Sequence, residues 1–114
     1  MGKDVNLGGG FMKDVFMGPT RFSNVTMTLS ANLTLTADSP TLLFIDPNGG
    51  RDLTLPAEAN SDGLMFIIIN RAGGAEILDI KDDSPATIVT PTQNEVALVF
   101  CDGTTWEGFV ASNP

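Results

Sequence analysis

Histidine and tyrosine do not occur in this chain of 114 residues, and cysteine and tryptophan occur once each. Without imidazole the commonest general base, the commonest neutral nitrogen ligand for metals and every imidazole-centred triad are missing. Catalysis, a cofactor and a small-molecule substrate are therefore not expected. Cys101 has no partner for a disulfide within the chain, and its place in the run Val96–Cys101 suits a small buried hydrophobe. No apolar run approaches the roughly 20 residues needed to span a bilayer, and the first residues show neither a signal-peptide nor a lipidation pattern. Positive charge is scarce: 6 basic residues face 14 acidic ones, a net charge of −8. Such a surface repels phosphate, so nucleic acid is not an expected partner, and a neutral or basic protein surface is.

The apolar content of 42% and charged content of 18% belong to a folded protein rather than a disordered one. Residues 1–24 differ from the remainder. Gly8-Gly9-Gly10 and Gly18-Pro19 break any regular element, yet Phe11, Met12, Val15, Phe16, Met17 and Phe22 make the stretch rich in large apolar side chains. Lys3-Asp4-Val5 returns ten residues later as Lys13-Asp14-Val15. Apolar residues in a glycine-broken segment have no core of their own. The stretch therefore reads as an extended N-terminal arm that docks on another chain, with folding back over its own domain as the alternative.

From residue 25 the hydrophobic period is two. Val25–Ser30 and Leu33–Thr36 alternate apolar residues with Thr or Ser, as half-buried strands do, and their short junction suits a hairpin or a bulged continuation. Further strands are expected at 41–45, 52–55, 64–70, 76–81, 87–90, 95–101 and 105–110. Leu64–Asn70 is apolar at nearly every position and reads as a central strand buried on both faces. Residues 57–63 read as a polar loop or a single helical turn. Asp102-Gly103 between Phe100 and Trp106 is a strong hairpin signal. About eight or nine short strands at roughly 8–12-residue spacing predict an all-β domain over 25–114, a small antiparallel β-sandwich or barrel.

Several motifs carry less chemistry than they first suggest. Asp46-Pro-Asn-Gly-Gly-Arg-Asp52 looks like a calcium loop, but the glycine and bidentate glutamate such a loop needs would be Arg51 and Ala57. It reads as a turn. Asp79, Asp82 and Asp83 read as acids in a solvated turn. Glu95 and Glu107 flank the last hairpin and would form an acid/base pair only if brought together. Asn24-Val-Thr26 and Asn32-Leu-Thr34 match the glycosylation sequon in what read as strand ends. Trp106 is expected to pack across the hairpin or into a subunit contact.

Asp52-Leu-Thr-Leu-Pro56, Asp62-Gly-Leu-Met-Phe-Ile-Ile-Ile-Asn70 and Cys101-Asp-Gly-Thr-Thr-Trp106, in that order and spacing, resemble the small β-rich structural modules of tailed bacteriophages. Such modules occur in head decoration (cement) proteins and in tail-fibre appendages. The resemblance covers about residues 40–110. It implies a non-enzymatic virion component, made in the host cytoplasm and placed on the outer capsid surface as a homotrimer bound to the major capsid protein. Phe11, Met12, Phe16, Met17 and Phe22 are then the candidate partner-binding residues. The alternative is a receptor- or glycan-binding module of a tail appendage.

Overall fold

The structure is a computed structural model, and it describes residues 20–112. Nine strands run through these residues: β1 (Asn24–Thr28), β2 (Leu33–Thr34), β3 (Leu42–Asp46), β4 (Arg51–Thr54), β5 (Met65–Asn70), β6 (Leu78–Lys81), β7 (Thr87–Val89), β8 (Glu95–Cys101) and β9 (Trp106–Ser112). The one helical element among them is a 3₁₀ turn at Glu58–Asn60, inside the stretch expected to be a loop or a helical turn. The domain is all-β.

Its strands form two sheets, ordered β1-β3-β5-β8-β9 and β2-β4-β6-β7. Both are mixed, and they do not close into a barrel. β1, β3 and β5 run parallel, as do β2, β4 and β6, while β7, β8 and β9 join antiparallel. The expectation of an antiparallel domain is thus corrected. Leu33–Thr34 does not pair with β1 as a hairpin either, but crosses to the second sheet and lies beside β4. From β1 to β6 the chain alternates between the sheets, so each pair of strands makes one coil stacked on the last. A connection that crosses layers at each step returns to the first sheet in the same direction, which makes parallel pairing the natural outcome.

The inward positions of both sheets meet in one apolar cluster. Leu43 and Ile45 of β3, Phe66 and Ile68 of β5 and Val99 of β8 meet Leu53 of β4 and Leu78 and Ile80 of β6 there, all fully buried. Register stacks like on like: Val25, Leu43 and Ile68 lie side by side, as do Leu33, Leu53 and Ile80. Asn70, at the end of β5, is with Ser61 one of two buried polar residues among those described, and both its amide protons and its carbonyl oxygen are used. It donates to the carbonyls of Glu76 and Pro91 at 3.0 Å and accepts from the Ala72 N–H at 2.9 Å. The β5–β6 and β7–β8 loops are thereby tied to one side chain, which offsets the cost of burying a polar group.

The final hairpin forms where expected, with Cys101 opposite Trp106. Its turn is longer than a two-residue type I′ turn. Residues 102–105 close it, with Gly103 alone at positive φ (+91°) and Asp102 Oδ1 accepting from the N–H groups of Thr104 and Thr105 at 2.9 and 2.8 Å.

Candidate functional site

Pro56, Gly63 and the Cys101–Trp106 turn, from three motifs far apart in the sequence, converge at one corner of the domain. Trp106 is only 3% exposed, its ring is stacked on Phe66 with centroids 5.9 Å apart, and its Nε1–H donates to the Pro56 carbonyl at 2.9 Å. The Gly63 N–H donates to the Cys101 carbonyl, and the Cys101 N–H to the Leu64 carbonyl. Ser61 is buried, with its hydroxyl donating to the Ala57 carbonyl at 2.8 Å. The Leu-Pro, Asp-Gly and Asp-Gly-Thr-Thr-Trp motifs are therefore parts of one internal joint. Trp106 belongs to that joint and faces inward, and Cys101 is a buried free thiol within it.

The acidic residues singled out in the sequence do not converge. Glu107 lies opposite Phe100, five positions along β8 from Glu95, a separation of about 17 Å at ~3.4 Å per residue. That exceeds the spacing of either glycosidase carboxylate arrangement. Asp82 Oδ1 is taken up by its own turn, accepting from the Ser84 and Ala86 N–H groups and the Ser84 hydroxyl. These hydrogen bonds, led by the Ser84 hydroxyl, hold its carboxyl below the usual range. Glu95 is lowered in the same way by the Thr92 N–H and hydroxyl, and Asp102 by the N–H groups of Thr104 and Thr105. Asp79 and Asp52 instead flank Lys81 Nζ, at 3.7 and 3.2 Å. In the 46–52 loop Arg51 occupies the centre, donating to the carbonyls of Pro47 and Asn48 at 2.9 Å each. Among the described residues no group of three or more potential metal-ligating side chains comes together. Asn32 of the second sequon is held within the fold, its Oδ1 accepting from the Asp52 N–H.

Of the arm candidates, Phe11, Met12, Phe16 and Met17 lie outside the described residues. Phe22 lies just ahead of β1 with 43% of its surface exposed.

The surface that stands out is one the sequence reading did not single out. On the five-stranded sheet, side chains at alternate positions turn away from the core. Following the register, Leu42 and Phe44 of β3 align with Ile67 and Ile69 of β5. These align with Leu98 and Val96 of β8, which lie opposite Phe109 and Ala111 of β9. Met65 and Phe100 extend the row at one end. The outer face of four neighbouring strands is thus apolar throughout, and Phe100 (39% exposed) and Phe109 (53% exposed) form its open part, with ring centroids 6.2 Å apart. Charge is sparse there: Glu107 on β9 and Asp46 at the end of β3 lie at the rim, and Arg71 lays its guanidinium carbon 4.2 Å above the Phe44 ring.

The outer face of the second sheet is the opposite. Thr34, Thr54, Lys81 and Thr87 align across it, beside Asp52 and Asp79. That face is built for water; the first is not. The sequence did hold a sign of the difference. Leu42–Ile45, Met65–Ile69 and Val96–Phe100 are apolar at consecutive positions, whereas Asp52-Leu-Thr-Leu55 and Leu78-Asp-Ile-Lys81 alternate strictly. No protein-family model matches the chain, and no curated protein or solved structure is significantly similar to it.

Proposed function

We propose that this protein is a non-enzymatic virion structural protein: a decoration (cement) protein that binds the outer surface of a tailed-phage head as a homotrimer and stabilises the shell. On this reading the two sheets form a β-sandwich wound as stacked coils, and residues 1–24 act as an arm reaching a neighbouring capsid subunit. The observation that carries the reading is the contrast between the two outer faces. One is polar and suited to solvent, and the other presents apolar side chains on four adjacent strands. A recognition surface made of aromatic and aliphatic side chains, with carboxylates kept to its rim and one arginine over it, has the composition of a protein–protein interface core. The phage-module motifs support the same reading at the level of the fold, since the joint they build is what sets β9 and its aromatics in place. Repetition of modest contacts over a symmetric shell would then give strong retention.

The test has two parts. Antibody against the purified protein, used for immunogold labelling of virions, is expected to mark heads; label confined to tails would replace this reading with that of a tail appendage. Deleting residues 1–22 is expected to weaken binding to empty shells by at least about tenfold. Undiminished binding would remove the arm from the mechanism.

A further inference from the structure

We infer that the apolar outer face of the five-stranded sheet is the surface through which copies of this chain meet one another. The inference deepens the decoration-protein reading and rests on it only for the number three. Three observations select a second copy as the occupant.

The first is the central strand. Met65–Asn70 has the composition of a strand covered on both sides, yet among the described residues its outer side is closed only at Ile69. Phe66 and Ile68 are fully buried, while Met65 and Ile67, on the outer side, remain partly open to solvent. An apolar layer over Ile67, Leu98 and Phe109 would complete the burial that the sequence is written for.

The second is charge. A chain of net charge −8 repels its own copies over most of its surface. The polar sheet brings Asp52 and Asp79 to its outer face, and the turns add Asp82, Asp83 and Asp102. The four-strand apolar face carries no carboxylate inside its rim, and the one charge laid over it, the Arg71 guanidinium above Phe44, is positive. It is the one large sheet surface among the described residues where two acidic copies can approach without setting carboxylates against each other. A basic partner would find no charge complementarity there.

The third is continuity with an open edge. β9 is seven residues long and, among the described residues, pairs only with β8 and leaves its other edge of N–H and C=O groups unpaired. Gly108 lets β9 lie close on β8: a Cβ there would sit 2.6 Å from the Leu98 carbonyl oxygen and 2.7 Å from Val99 Cγ1. An exposed, long, apolar edge strand beside an apolar face is a surface that soluble proteins cover.

The experiment measures the solution mass of the purified full chain by sedimentation and light scattering, without shells, up to roughly 100 µM. The wild type is expected to be oligomeric. Phe100→Glu with Phe109→Glu is expected to give a folded monomer, whereas Thr54→Glu on the polar face leaves the mass unchanged. Phe109→Ser, which removes the contact without adding charge, is expected to raise the dissociation constant at least about tenfold should the double variant not fold. A wild type that stays monomeric overturns the inference, and so does an oligomer indifferent to Phe109→Ser. Shell binding is scored separately: an oligomer that ignores shells leaves this inference standing and removes the decoration reading, while a monomer that binds shells through Phe109 does the reverse.

Discussion

Asp46, Asp82, Glu95 and Asp102 each accept hydrogen bonds from backbone N–H groups of their own turns. Much of the acidity of this chain thus has a local task, which is to satisfy donors where strands end. The depressed carboxyls have a definite consequence for pH. Asp82, Glu95 and Asp102 titrate lower in the folded chain than unfolded, so their contribution is complete above the ordinary carboxylate range of roughly 4 and is lost as pH falls through their folded values. Lys81, raised chiefly by its hydrogen bond to Asp52, works in the opposite sense. Its contribution is present below about 10.4 and disappears as pH rises through its higher folded value. Urea midpoints are therefore expected to form a plateau between about pH 5 and pH 10, falling on both sides. Trp106, with no tyrosine present to compete, supplies the fluorescence signal for that measurement. Asn70→Leu is expected to cost about 2–3 kcal/mol, because the Ala72 N–H and the Glu76 and Pro91 carbonyls lose their partner together. A loss below 1 kcal/mol in the same urea titration would mean that the loops re-pair without it.

Among the elements, β5 is central, flanked by β3 and β8 and closed on its inner side, while β2 is two residues long at a sheet edge. Amide exchange is accordingly expected to be slowest at Phe66 and Ile68 and fastest at Leu33 and Thr34. Gly108→Ala is expected to destabilise the domain by about 1–3 kcal/mol by forcing β9 off β8. Loss of that stability with β9 amides exchanging no faster would place the strain elsewhere. The positions of these elements could be read from period-two alternation and from turn residues, because both are local. Strand direction could not. Alternation along Val25–Ser30 is the same whether its neighbour runs up or down, and the short junction at 30–32 fits a hairpin as well as a crossing between layers. The clue to the coils lay in recurrence instead: Leu33-Thr-Leu35 and Leu53-Thr-Leu55 are twenty residues apart and stack in register. For Trp106, read as packing across the hairpin or into a subunit contact, sequence does not show that the Pro56 carbonyl, fifty residues away, accepts from its indole N–H. The apolar outer face is visible in the sequence only as a shortage of alternation, which a strand buried on both sides explains equally well; among the described residues β5 keeps Met65 and Ile67 partly exposed on that side.

For the molecule as a whole, the decisive property is the pairing of an acidic surface with one apolar face. Association through that face is expected to strengthen as NaCl rises from about 20 to about 300 mM, since salt screens repulsion between copies and leaves apolar contact intact. Weaker association at high salt would point to ion pairs such as Arg71 with Glu107 as the main attraction. The stacked coils also give the domain a direction. Among the described residues both sheets begin with parallel strands, at the edges β1 and β2, and end with antiparallel ones, at the edges β9 and β7. A tandem copy of one coil, inserted ahead of β3 or after β6, would run parallel to its neighbours, and β7 and β8 could pair with the added strands as they now pair with β6 and β5. Length in this architecture is gained a whole coil at a time, so any longer descendant should differ from this chain in how many coils precede β7 and resemble it from β8 onward.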